Sequence, residues 1–197
     1  MRNIVVSEFV SLDNVMQAPG GAEEDTEGGF TQGGWTGPYW HDDIGAHFFE
    51  AMSQSDALLL GRKTWQIHGG AFEPMPAGDP FGDAMNTMPK YVASRTLDTA
   101  TWNATIIKGE VADKVRELKQ EDGGDLLIGG SGQLIDYLTR HDLIDEYRMM
   151  VVPIVLGNGT KRLFNGVPQR TFMLVESLTL PKGVVINTYH PAAPASE

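Results

Sequence analysis

A chain of 197 residues, 41% hydrophobic and 21% charged, has enough apolar material for one compact core and is too evenly mixed for a disordered or fibrous protein. Its net charge of −11 argues against nucleic acid and anionic membrane surfaces, both of which need a concentrated basic face, so an anionic ligand must be met by local cations or backbone amides. The lack of cysteine removes disulfides, thiolate nucleophiles and zinc–thiolate sites.

At the N-terminus, MRNIVVSEFVSLD offers a short apolar stretch interrupted by Glu8 and Asp13. It is too short and polar for a signal peptide or membrane span, which makes cytoplasm the default expectation. Residues 3–10 read as a buried strand. Residues 14–40 hold many glycines and the acids Glu23, Glu24, Asp25 and Glu27, but also Phe30, Trp35, Tyr39 and Trp40. Aromatic residues have little reason to gather in a solvated linker, so this segment is expected to be a lid. Ile44, Phe48, Phe49 and Met52 recur at helical spacing, residues 56–60 form a strand, and residues 66–79 are expected to lack regular structure. Strands at 90–94, 105–107 and 125–128 then alternate with helices marked by Val111, Val115 and Leu118 and by Leu134, Ile135 and Leu138. Such alternation implies an α/β chain with a largely parallel sheet. The longer strands 145–153, 171–180 and 184–190 end the chain, the last two joined by Pro181-Lys182-Gly183 as an antiparallel hairpin on one edge. One domain is expected over 1–191, with 192–197 a frayed tail.

Three strand ends share a chemistry. Strand 125–128 runs into Gly129-Gly130-Ser131-Gly132 and then a helix, which brings backbone amides and a helix dipole to one point where phosphate binds. A Cβ there would block close approach or forbid positive φ. The plainer reading is a tight turn capped by Ser131, since neither Rossmann spacing nor a Walker lysine is present. Strand 56–60 ends in Gly61-Arg62-Lys63-Thr64-Trp65, with two cations at a helix start that the dipole disfavours unless an anion sits beside them; a solvated basic turn is the alternative. Strand 90–94 ends in Ser94-Arg95-Thr96. Ligands of open α/β sheets lie beyond the carboxyl ends of strands, and three phosphate-friendly ends suit one dinucleotide.

The segments LLLGRKTW, PKYVASRTL, LLIGGSGQLIDYL and DEYRMMVVPIVLGNGTKRLF, preceded by VSLDNVMQAPGG and GGW-x-x-P-Y, resemble the dihydrofolate reductase-like superfamily over nearly the whole chain. Within it they are most similar to the branch holding the reductase domain of riboflavin-biosynthesis enzymes and its stand-alone relatives. The resemblance implies an eight-stranded, mostly parallel sheet with an antiparallel C-terminal hairpin and helices on both faces, NADPH bound across the strand ends, and a homodimer. By resemblance, Gly61, Arg62, Lys63 and Thr64 hold a cofactor phosphate, and Ser94, Arg95 and Thr96 receive the adenosine 2′-phosphate. Gly129, Gly130, Ser131, Gly132, Gln133 and Leu134 cradle the pyrophosphate, while Val10 and Met16 flank the nicotinamide. Trp35, Tyr39 and Trp40 either stack on a planar substrate or cover the core as the lid closes, Phe49 falls on the substrate side, and Asp13 is the catalytic candidate, with turn capping as its alternative. Lys161 and Arg162 suit a substrate phosphate or are solvated cations beside the Asn158-Gly159 turn.

The pattern also departs from the superfamily. Dihydrofolate reductases carry a carboxylate on the helix before GRxTW, where this chain has Gly45, with Asp42 and Asp43 about one turn earlier. Folate is therefore not the expected substrate. The five histidines show no metal spacing. The expected function is NADPH-dependent reduction of a small planar heterocyclic or carbonyl-containing substrate, 5-amino-6-(5-phosphoribosylamino)uracil among them. A non-catalytic NADP(H)-binding protein and a flavin or deazaflavin reductase on the same fold compete with it.

Overall fold

Side-chain alternation along β1 (Ile4–Ser11) sends Ile4, Val6 and Val10 to one face of the sheet and Val5 and Phe9 to the other. All eight residues are buried, as in a strand covered on both faces. In the computed structural model, which describes residues 1–192, β1 pairs in parallel with β5 (Asp125–Ile128) and β6 (Glu146–Val152). Beyond β5 the parallel part continues through β2 (Ser55–Gly61), β3 (Lys90–Ala93) and β4 (Ala104–Ile107). Beyond β6, β8 (Val185–Pro191) runs antiparallel to both β6 and the edge strand β7 (Phe172–Thr179). The sheet order is β4-β3-β2-β5-β1-β6-β8-β7, a mostly parallel eight-stranded α/β sheet with an antiparallel C-terminal hairpin.

Helices cover both faces. On one, α4 (Val111–Gln120) and α5 (Gly132–Arg140) bury Ala112, Val115, Leu118, Leu134, Ile135 and Leu138 against Leu59, Leu126 and Ile128. On the other, α1 (Asp42–Ser53), α2 (Arg62–Phe72) and α3 (Pro80–Thr87) bring Ala51, Met52, Trp65, Phe72 and Met85 onto Val5, Leu58, Leu60 and Leu127. Each such large side chain, fully buried, contributes about 1.5–3 kcal/mol.

The expectation that 66–79 lacks regular structure is corrected, because α2 runs on to Phe72. Its Gly69 and Gly70 each disfavour a helix by about 1 kcal/mol, but Trp65 and Phe72 pack on the sheet and their burial decides the outcome. α3 was not expected from periodicity. Its start signals are Pro80 at the first position and Asp79, which accepts a hydrogen bond from the Gly82 amide at 2.7 Å.

Residues 14–40 hold two short 3-10 turns and are otherwise irregular, yet Phe30 and Trp35 are buried with Phe9, Met150 and Val152. Gln17 organises the segment. Its side-chain amide donates to the carbonyls of Asp25 (3.2 Å) and Glu27 (2.9 Å), and its side-chain oxygen accepts from the Thr160 amide and hydroxyl, both at 3.1 Å. The Trp35 indole donates to the Gln17 carbonyl at 2.8 Å. Of the expected tail, 193–197 lie outside the described residues, while the Ala192 amide donates to Thr171. Among the described residues no helix is long and apolar enough to cross a membrane.

Candidate functional site

The sheet order places β3, β2, β5 and β1 side by side, so the three phosphate-friendly turns and the end of β1 open on the same edge. The turns after β2 and β5 interlock. A Cβ on Gly61 would collide with the Ser131 side chain. Gly130 has φ +91°, and a Cβ there would lie 3.1 Å from Thr64 Oγ1 and 3.5 Å from Glu8 Oε2. Its peptide to Ser131 is cis. A Cβ on Gly132 would meet Met16 Sδ at 2.5 Å, so Met16 lies on the elbow that the resemblance assigns to the cofactor. No side chain caps the start of α5 at Ser131, and Gln133 is exposed while Leu134 is core. The first amides of that helix remain available to an anion.

The cations divide sharply. Lys63 pairs with Glu27, and Lys161 pairs with Asp25 and, at 2.8 Å, with Glu27. The Lys161 and Lys63 ammoniums hold the Glu27 carboxyl down at about 2. Arg162 contacts Asp13 at 3.2 Å and donates to the Gly157 carbonyl at 3.0 Å. Arg62 and Arg95, by contrast, are exposed, and among the described residues neither has a carboxylate or hydrogen-bond partner. They stand at the carboxyl ends of the neighbouring strands β2 and β3. Next to Arg95, the Ser94 hydroxyl accepts the amides of Thr96 (3.2 Å) and Leu97 (3.1 Å) and so shapes the turn; Thr96 itself is exposed.

Asp13 is a clasp. Its carboxylate accepts from the Ser11 hydroxyl (2.7 Å) and the amides of Leu156 (3.1 Å) and Gly157 (2.9 Å). Desolvation opposes its charge, but these donors and Arg162 outweigh it and hold the carboxyl well below the usual carboxylate range. A group so held is a poor proton donor at neutral pH. Val10, near the end of β1, is buried. Trp35 belongs to the core of the 14–40 segment, and Tyr39 packs against the same cluster. Trp40 and Phe49 remain 46% and 49% exposed. Gly45 lies beside Trp40, and Asp42 and Asp43 stand exposed in the first turn of α1, where their charge suits the dipole.

The most unusual group is one that sequence reasoning noted only as an interruption. Glu8 is 7% exposed in β1, its Oε1 accepting the Phe9 amide and its Oε2 without a partner among the described residues. Desolvation, with a smaller push from the Glu24 charge, outweighs the Phe9 amide and raises its carboxyl to about 8. His68 Nδ1 and Trp65 Nε1 are also buried and unpartnered among the described residues. Burial takes His68 down to about 4, so its ring is neutral at physiological pH. His68 Cε1 lies 3.9 Å from the position of a Cβ on Gly129, the residue next to Gly130. An acid in a buried strand whose other residues are apolar or serine is the signal that marks Glu8 in the sequence.

The model of the RibD C-terminal domain matches residues 2–186. The uncharacterized protein YyaP of Bacillus subtilis (strain 168) is 29% identical over 193 residues, covering 96% of this chain and 95% of that protein. Two solved structures share the fold. A candidate riboflavin biosynthesis protein from Shewanella sp. PV-4 aligns with TM-score 0.70 at 22% identity, over 98% of this chain and all (100%) of that one. A dihydrofolate reductase from Enterococcus faecalis, complexed with NADP(H), aligns with TM-score 0.61 at 14% identity, over 97% of each chain.

Proposed function

Because this chain belongs to the family of RibD C-terminal domains, we propose that it is a reductase that takes a hydride from NADPH and delivers it to a small planar heterocyclic or carbonyl-containing compound. One observation carries the cofactor choice: Arg62 and Arg95 stand unpaired at adjacent strand ends, whereas Lys63, Lys161 and Arg162 are occupied by carboxylates. An acidic chain that leaves two guanidiniums unpartnered at one edge supports a ligand with separate phosphates. The NADP(H) complex of the Enterococcus faecalis enzyme on this fold supports the same cofactor.

On this reading Arg95 meets the 2′-phosphate, with the Ser94-shaped turn fixing its base, and Arg62 meets a second phosphate. The amides of Gly132 and Gln133 face the pyrophosphate, the Leu134 amide being taken by the Ser131 carbonyl at 3.0 Å, and Met16 closes over the elbow. When bound, the cofactor supplies the hydride; the protein supplies position and a dry site. With Lys161 and Arg162 occupied, the cleft suits an uncharged substrate better than a phosphoribosylated pyrimidine.

Calorimetry of Arg95→Ala tests the assignment. NADPH affinity is expected to fall by roughly 1.5–3 kcal/mol, the range for a charged hydrogen bond, with NADH nearly unchanged. Equal losses for both nucleotides, or none for either, refute it.

A further inference from the structure

We propose that Glu8 is the acid that supplies the proton accompanying hydride transfer, an inference that rests on the reductase reading above. The sheet order gives the direction of the ligand. If the 2′-phosphate lies at β3 and the pyrophosphate at the β2 and β5 turns, the chain of the dinucleotide next reaches β1, and its reactive ring arrives there. β1 and β5 run in register from Ile4 with Leu126 to Val6 with Ile128, so Glu8 comes level with Gly130, at the carboxyl end of β5. Its free Oε2 and the Thr64 hydroxyl flank the same point above Gly130, the spot that a side chain would otherwise fill.

Three features suit Glu8 to the task. It is buried, which favours its protonated form over the charged one. One oxygen is unpartnered and free to donate. Among the described residues no cation stabilises its charge: the groups around it are Glu24 from the 14–40 segment, the Phe9 amide, Thr64 on α2 and Met149 opposite on β6, while His68 on α2 is neutral. A carboxyl so placed keeps its proton at neutral pH, as a general acid must. Asp13, clasped and ionised, does not. In the reaction, the carbon of a substrate C=O or C=N bond gains a hydride, and with it two electrons, from the reduced nicotinamide nucleotide. The oxygen or nitrogen gains the proton as the Glu8 O–H bond breaks. The resulting carboxylate recovers a proton from water.

The deciding measurement is NMR of protein labelled with 13C at its glutamate carboxyls, with Glu8→Gln assigning the resonance. Glu8 is expected to titrate near 8, away from the other glutamates. NADPH is expected to move both its resonance and its midpoint, whereas adenosine 2′,5′-bisphosphate, which lacks the nicotinamide, binds and leaves both unchanged. With neutral quinones and cyclic carbonyls as acceptors, Glu8→Gln is expected to slow NADPH oxidation by roughly 100-fold or more. It should also abolish the fall in rate above the Glu8 midpoint while leaving NADPH affinity within about twofold, because a glutamine of the same shape keeps the packing and loses only the proton. Glu8 titrating with the other glutamates, or both nucleotides binding with the same effect on it, overturns the proposal and leaves the reductase reading intact. Failure of both nucleotides to bind by calorimetry overturns the reductase reading first, and this proposal with it.

Discussion

Replacing Glu8 by glutamine should make the protein more stable, and increasingly so as pH rises. In the unfolded chain the carboxyl ionises at its ordinary 4.5, whereas in the fold it holds its proton up to about 8. Below 4.5 both states are protonated and the residue has no pH-dependent effect. Between those values the unfolded chain gains a hydrated charge that the folded protein does not, and stability falls by about 1.4 kcal/mol for each tenfold change in proton activity. The loss is on the order of 3 kcal/mol at pH 7 and at most about 5 kcal/mol once pH passes the folded value. Glutamine is neutral in both states and keeps the shape, so the variant should lack this decline. Urea unfolding of both proteins at pH 5, 7 and 8.5 measures the difference directly. The two should nearly coincide at the lowest pH and diverge above it, with Tm at pH 7 higher in the variant by roughly 6–12 °C for a domain of this size. Parallel pH profiles would mean that Glu8 ionises in the fold at its ordinary 4.5, and the reasoning would fail.

Gly130→Ala should lose about 1–3 kcal/mol, because φ of +91° and a Cβ 3.1 Å from Thr64 Oγ1 both oppose it. Gly129→Ala, whose new methyl meets nothing nearer than His68 Cε1 at 3.9 Å, should lose under about 1 kcal/mol, and thermal melts that rank the two the other way contradict the turn geometry. Glu27 is held at about 2 by Lys161 and Lys63, so its pull on them is full above its ordinary 4.5 and vanishes as pH falls towards 2. Glu27→Gln should therefore speed chymotrypsin cleavage at Phe30, Tyr39 or Trp40 at neutral pH, and an unchanged rate would show that the ion pairs do not hold the segment. Edge strand β7 exposes Met173, Leu174 and Val175, each more than half accessible (57%, 53% and 51%), so two copies should pair through it. Sedimentation should give twice the 21.5 kDa chain and the single mass for Val175→Lys; a monomeric parent protein refutes the pairing.

All eight strands were legible because their apolar runs are short and bounded by glycine, serine or charge, and the hairpin because Pro181-Lys182-Gly183 fixes a turn. The second half of α2 was not, since Gly69 and Gly70 look like breakers until Phe72 has a sheet to rest on. At the site, the glycine turns could be read because a missing Cβ has meaning for the backbone alone. Which cations were free could not. Lys63 with Glu27 and Lys161 with Asp25 are separated by 36 and 136 positions, and only folding decides which cations find carboxylates. Glu8 shows the same limit: its letter is visible, but its desolvation depends on how β1 lies between β5 and β6.

Gln17 sets a clock for the cleft. Its amide ties the carbonyls of Asp25 and Glu27 to Thr160 from a position that is 1% exposed. The segment over the elbow therefore cannot swing on a hinge with these bonds intact; it must come away as a unit, giving up several buried hydrogen bonds together. Such openings are rare, cooperative excursions rather than fast loop motion. A ligand bound beneath residues 14–40 would leave at the tempo of that local unfolding, which hydrogen exchange at the amides of Gly34 and Thr36, bonded to the carbonyls of Ala18 and Pro19, would report.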